Sequence, residues 1–272
     1  MRTESEEMVM KMMSDPRYFI QRAFWVISKE TNEKVPFVFN YVQQKYYKVR
    51  TQWDLILKAR KEGFTSVILA IWLCACIFQE NTRAVVVSHE DDATKRLFAK
   101  VKFYLETMGI AGQKFEVELD DDSKKQISFP GTNSSFWIGT AGSRAFGRGD
   151  DITHLLLSEV AHYKNQEFLT GLLAACTKNA WRVMETTANG IGEIFNQLWE
   201  QAGDPQSGSL WKRHFFGWHE DPSHSEPLQE GMPFLLTVGE KRMRENIFRE
   251  AGVTISDAQI FWYRQTYNSM PD

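Results

Sequence analysis

Residues 54 to 78 narrow the fold of this chain more than any other stretch. Asp54-Leu55-Ile56-Leu57 reads as a covered strand, Lys58-Ala59-Arg60-Lys61-Glu62-Gly63-Phe64-Thr65-Ser66 as a loop, and Val67 to Phe78 as an apolar helix. A strand, a charged loop and a buried helix in that order form a phosphate cradle, because loop and helix N-terminal N–H groups converge on an anion. Against the pattern G-x-x-x-x-G-K-[ST], Gly63 takes the second glycine and Thr65 the hydroxyl position. Phe64 stands where the lysine belongs, and Lys58 where the first glycine does. The motif is a damaged Walker A. Phosphate binding needs positive charge rather than one particular position, and Arg60 and Lys61 lie in the loop to reach β- and γ-phosphate oxygens from its other side.

With 272 residues, 43% of them apolar, the chain can bury one large α/β domain and an appended subdomain. No apolar run approaches the ~18 residues of a membrane span. The polar start Met1-Arg2-Thr3-Glu4-Ser5-Glu6-Glu7 is unlike a secretory signal, which predicts a soluble intracellular protein. Cys74, Cys76 and Cys176 are expected to be reduced, unreactive thiols. A net charge of -3 excludes a strongly basic nucleic-acid binder but not a local basic groove.

Apolar spacing predicts helices over residues 8 to 30, broken at Asp15-Pro16, and a further helix up to about Lys48. Arg83 to His89 is a β-branched covered strand, and a helix follows from Glu90. Phe115 to Leu119 and Ile127-Ser128-Phe129 read as an edge hairpin, with turns at Asp120 to Ser123 and at Pro130-Gly131. Ile152 to Leu157 and Trp181 to Thr187 are further strands, Gly203 to Ser209 a surface loop, and residues from about Pro233 a helical appendage. Alternating covered strands and helices predict a mostly parallel, helix-flanked sheet.

Several strand ends carry polar groups. Leu155-Leu156-Leu157-Ser158-Glu159 ends in one acid, suited to activate water, while Ser158 stands where an aspartate would hold magnesium. Metal binding then falls mainly to Thr65, with Ser158 offering an uncharged hydroxyl. Glu159 can equally begin a loop after a core strand. Thr186-Thr187-Ala188-Asn189-Gly190 reads either as a γ-phosphate sensor or as a tight turn. The glycine-rich Gly139 to Asp150 segment either offers Arg144 or Arg148 to a neighbouring subunit or is a plain surface loop. His214, His219 and His224, five residues apart and without a nearby cysteine, do not match zinc spacing. Asp120-Asp121-Asp122 reads as a solvated turn rather than a nuclease metal site.

Taken in order, these motifs resemble the ATPase domain of the large terminase subunit of tailed bacteriophages. The resemblance rests on Asn40-Tyr41-Val42-Gln43, the Leu57 to Ser66 loop, Leu155 to Glu159 with Ala161-His162, and Thr186 to Gly190, and covers about residues 36 to 200. It implies an α/β P-loop NTPase of the ASCE/RecA-like kind with a small helical linker subdomain. The expected division is an N-terminal helical segment over 1–35, an ATPase core over 36–210 and a linker or lid over 211–272. The family's C-terminal nuclease domain is expected to be absent.

The resemblance further implies that Gln43 reads adenine and that Lys58, Arg60, Lys61, Glu62, Gly63, Phe64, Thr65 and Ser66 bind ATP. Thr65 and Ser158 would serve Mg2+, Glu159 would activate water, and Thr186, Thr187 and Asn189 would couple hydrolysis to motion. Arg144 or Arg148 would act as an arginine finger in trans. The implied partners are double-stranded viral DNA, a portal protein, the small terminase subunit and further copies in a ring, in the host cytoplasm and away from membranes. A helicase-like translocase and a non-hydrolysing nucleotide-binding scaffold are the alternative functions.

Overall fold

The computed structural model describes residues 10–28, 31–123, 125–142, 151–228 and 233–269. Its elements begin with α1 (Pro16–Ala23), β1 (Trp25–Ile27), β2 (Lys34–Pro36), α2 (Tyr41–Val49), β3 (Trp53–Lys58), α3 (Phe64–Phe78), β4 (Arg83–Ser88) and α4 (Asp91–Thr107). Then come β5 (Gly109–Ile110), β6 (Gln113–Lys114), β7 (Asp120–Ser123), β8 (Gln126–Phe129), β9 (Ser134–Thr140), β10 (Ile152–Ser158), α5 (Gln166–Ala174) and β11 (Cys176–Thr186). The chain closes with α6 (Ile194–Gly203), β12 (Lys212–Phe216), α7 (Val238–Ala251) and α8 (Asp257–Asn268). These elements fall into two compact units, residues 1–57 with 63–215 and residues 58–62 with 216–272.

The first unit is built on an eight-stranded sheet of order β12-β3-β11-β10-β4-β9-β8-β7. From β3 to β9 neighbouring strands run parallel, so β3, β11, β10, β4 and β9 all end at the same edge. Both faces are covered, as continuous apolar strands require. On one face Leu55, Val85, Val87, Leu155, Leu157 and Met184 pack with Leu172 of α5 and Phe195 of α6. On the other lies α3, in which Phe64 and Val67 through Ile77 are all buried, so the helix has no solvent face and acts as the central core element. No helix among the described residues is long and apolar enough to cross a membrane.

Two local expectations are corrected. Helix does not continue to residue 30: it ends at Ala23, where the Phe24 N–H closes on the Ile20 carbonyl, and Trp25-Val26-Ile27 then pairs antiparallel with Lys34–Pro36. Aromatic and β-branched residues in succession favour the pleated form here. The edge hairpin is present, but its first strand is Asp120–Ser123 rather than 115–119. Ile127 and Phe129 point into the core and fix the register of β8, and pairing Ser123 with Gln126 brings the acidic run opposite it. Phe115 instead packs edge-on against Phe19, with ring centroids 5.3 Å apart.

A buried polar network ties α2 and β12 to β3. Asp54, fully buried, accepts from Tyr46 Oη at 2.9 Å and from Thr51 Oγ1 at 2.7 Å, and lies 2.8 Å from His214 Nε2. Within the second unit, capping boxes start α7 (Thr237 with Glu240) and α8 (Ser256 with Gln259). Arg264 grips Glu240 through two bonds of 2.8 and 2.7 Å, which holds that carboxyl down at about 2. Because Asp54→Ala strands several buried donors at once, it is expected to cost about 3 kcal/mol or more in urea unfolding. A loss under about 1 kcal/mol would show that the network does not anchor the sheet.

Candidate nucleotide site

The first turn of α3 is organised by a glycine in the left-handed region. Gly63 has φ +77°, and a Cβ there would sit 2.6 Å from Gln43 Nε2. That amide nitrogen donates to the Gly63 carbonyl at 3.0 Å, while Gln43 Oε1 accepts the Asn40 N–H at 3.1 Å as part of the capping box that starts α2. The three residues after Gly63 face three different elements. Phe64, in the lysine position of the motif, is buried edge-on against Tyr46 of α2, with centroids 5.7 Å apart. Thr65 Oγ1 donates to Glu185 Oε1 of β11 at 2.7 Å, and Ser66 Oγ accepts from Lys100 Nζ of α4 at 2.8 Å. The helix has no acidic residue of its own in its first turn, and the carboxylate that meets this positive end is Glu185 from β11.

Glu185 joins the neighbouring strand ends. Its Oε1 also accepts from Ser158 Oγ at 2.6 Å, and its backbone carbonyl accepts the Glu159 N–H at 2.7 Å. Glu159 itself has φ +57°, a conformation that costs a residue with a Cβ about 1–2 kcal/mol. This turn aims its carboxylate back over β11: Glu159 Oε2 accepts from Thr187 N at 3.1 Å and lies 3.3 Å from Thr186 Oγ1 and 3.4 Å from Thr187 Oγ1. Asn189 Nδ2 donates to the Ala161 carbonyl at 3.1 Å, tying the loop after β11 to the turn after Glu159. Thr65, Ser158, Glu159, Thr186 and Thr187, far apart in sequence, therefore form one hydrogen-bonded cluster.

The loop residues 58–62 belong to the second unit, where the Ala59 N–H bonds the Phe216 carbonyl at 2.9 Å. Lys58 is buried, whereas Arg60 and Lys61 are exposed and Lys61 has φ +68°. Glu62 is buried against Asp221, and His224 Nδ1 lies 3.7 Å from its Oε1. Burial first, then the neighbouring Asp221 and Glu220 carboxylates, push the Glu62 carboxyl up to about 8. The shift favours the neutral form of this carboxyl beside Asp221. His214 and His224 make separate contacts, the first with Asp54 and the second stacked on Trp262 at 4.5 Å. Arg144 and Arg148 lie outside the described residues.

Sequence reading passed over Glu185 and Lys100. Glu185 left a usable signal, a charged residue in a covered strand directly before Thr186-Thr187. Lys100 left none, since it looks like any polar position on an amphipathic helix.

No protein-family model and no curated protein matches the sequence. Among solved structures, the fold is similar to the large terminase of bacteriophage HK97, with 15% identity and a TM-score of 0.62 over 94% of this chain and 52% of that one. The large terminase of the thermophilic bacteriophage D6E is similar at 13% identity and TM-score 0.51, over 78% of this chain and 50% of that one. The large terminase ATPase domain of Thermus phage P74-26 follows at 14% and 0.53, over 79% of this chain and 89% of that domain. The D6E protein is also known in complex with ATP-gamma-S, at 14% identity and TM-score 0.50 over 78% of this chain and 49% of that one. The chain thus spans about half the length of the two whole large terminases it matches.

The Glu62 shift has a measurable sign. An acid that is protonated when folded and ionised when unfolded lowers stability as pH rises from its ordinary 4.5 through about 8, with no further loss above. The urea midpoint is expected to fall across that window, and Glu62→Gln to remove this part of the slope. Superimposable pH profiles for the two proteins would exclude Glu62 as the source.

Proposed function

We propose that this chain, whose fold is that of the ATPase domain of phage large terminases, is an ATP-hydrolysing motor domain that powers packaging of double-stranded DNA into a procapsid. The observation that carries the reading is the grip of Thr186 and Thr187 on the Glu159 carboxylate, in one cluster with Thr65 of the phosphate loop. A base, a loop hydroxyl and a coupling segment meet at the edge where open α/β sheets bind ligands. A scaffold that only bound nucleotide would have no use for a carboxylate held in this way.

In this reading the N–H groups of Gly63, Phe64, Thr65 and Ser66 receive the phosphates, and Arg60, Lys61 and Lys100 balance their charge. Gln43 meets the adenine end. The hydroxyl oxygens Thr65 Oγ1 and Ser158 Oγ suit magnesium, a hard cation that takes oxygen ligands. Held there, magnesium would supply positive charge to neutralise phosphate oxygens. Glu159 accepts the proton of the attacking water. Its release from Thr187, and its recapture after hydrolysis, passes the state of the site to the loop through Asn189. Arg144 or Arg148 completes the site of a neighbouring copy in a ring seated on a portal protein, with the small terminase subunit presenting the DNA, in the host cytoplasm.

Steady-state ATP hydrolysis measured against protein concentration tests this reading. The rate per subunit is expected to rise with concentration, and Glu159→Gln to abolish turnover while keeping ATP binding. Undiminished turnover in that variant would remove Glu159 as the base. A concentration-independent rate would leave an ATPase without shared sites. Lys100→Met is expected to weaken ATP binding about tenfold, the worth of one charge-assisted hydrogen bond. Unchanged affinity would confine Lys100 to holding Ser66.

A further inference from the structure

The serine at position 158 leaves the end of β10 one negative charge short of what a phosphate-bound cation calls for, and the neighbouring strand holds a carboxylate that nothing in the loop motifs anticipates. β11 lies between β3 and β10, and Ser158 pairs with Glu185 in the parallel register. A side chain at the end of β11 therefore reaches both the strand that leads into the phosphate loop and the strand that ends in Glu159. Glu185 does so: it is fully buried, and one of its oxygens accepts from Thr65 Oγ1 at 2.7 Å and from Ser158 Oγ at 2.6 Å.

We infer that Glu185 supplies the metal-directed carboxylate of this site, displaced by one strand from the position that Ser158 occupies. The inference rests on the nucleotide reading above and adds to it the group that gives the site its affinity for a divalent cation. Each hydroxyl that spends its proton on Glu185 turns its lone pairs away from that bond, so Thr65 and Ser158 become oriented oxygen donors. Carboxylates behind metal ligands act in this way, fixing the ligand and raising its basicity. Glu185 is a positioning residue. Its charge counts because burial keeps water from screening it, and its two acceptor bonds count because they hold the first turn of α3 and β10 at one spacing. The Glu159 N–H on the Glu185 carbonyl, at 2.7 Å, sets the base at a fixed distance from the same residue.

The test is ATP titration of the full chain in Mg2+ and in EDTA, with thermal unfolding of each variant as a control. Glu185→Gln keeps an acceptor oxygen for both hydroxyls and removes the charge. It is expected to unfold like the native protein, to bind ATP in EDTA as the native protein does, and to lose about tenfold or more of the Mg2+-dependent gain in affinity. Adding Ser158→Asp to that variant returns a carboxylate to β10 and is expected to restore the gain. Glu185→Asp, with the same charge drawn back by one methylene, is expected to keep the fold and lose several-fold of the gain, and it decides the matter if the glutamine variant does not fold. A full Mg2+-dependent gain in Glu185→Gln, or in Glu185→Asp where the glutamine variant fails to fold, would overturn the assignment. So would a native protein that binds ATP equally well in Mg2+ and EDTA, although the nucleotide reading would then survive. A native protein that binds ATP in neither condition would overturn both.

Discussion

A carboxylate with no exposed surface must be met by protons from its surroundings, and Glu185 sits at the end of a central strand of the sheet. Its neighbours answer with hydroxyls from two sides, Thr65 on the first turn of α3 and Ser158 on β10. The cost of leaving such a group unmet exceeds the gain from an ordinary hydrogen bond, so this carboxylate sets the spacing between the first turn of α3 and β10. The other parts of the site are positioned from this point: Glu159 through its N–H on the Glu185 carbonyl, Thr186 and Thr187 as the next residues along the strand.

The architecture was legible because its signals are redundant. Val85-Val86-Val87 and Leu155-Leu156-Leu157 can be covered only between two helical layers, and the apolar run after Gly63 admits only a central helix. Local pairing was less legible. Residues 115–119 alternate like a strand, yet Phe115 is drawn to Phe19 while the acidic residues that follow take the place opposite β8. Trp25-Val26-Ile27 fits a helical spacing as well as a pleated one, and its pairing with Lys34–Pro36 decides between them.

Of the candidate site, the strand-end positions were legible in the sequence and the partners were not. Gly63, Thr65, Glu159 and Thr187 stand where motif spacing puts them, because each follows a strand whose end is fixed by the parallel sheet. Charge was harder to read. The motif pattern shows a missing lysine at Phe64 and a missing acid at Ser158, and the candidate replacements come from α4 and β11, elements that no linear pattern connects to the loop. Glu62 shows the reverse case, a loop acid in sequence that burial and Asp221 push toward its neutral form.

The Gln43 amide joins two tasks in one side chain. Its oxygen closes the cap of α2 and its nitrogen holds the carbonyl of Gly63, whose own left-handed backbone leaves no room for a Cβ. Neither bond can shift alone. A displacement of this amide would disturb the turn at Gly63 and the cap of α2 together. The start of α2 and the turn at Gly63 are thus joined through one side chain rather than through separate contacts.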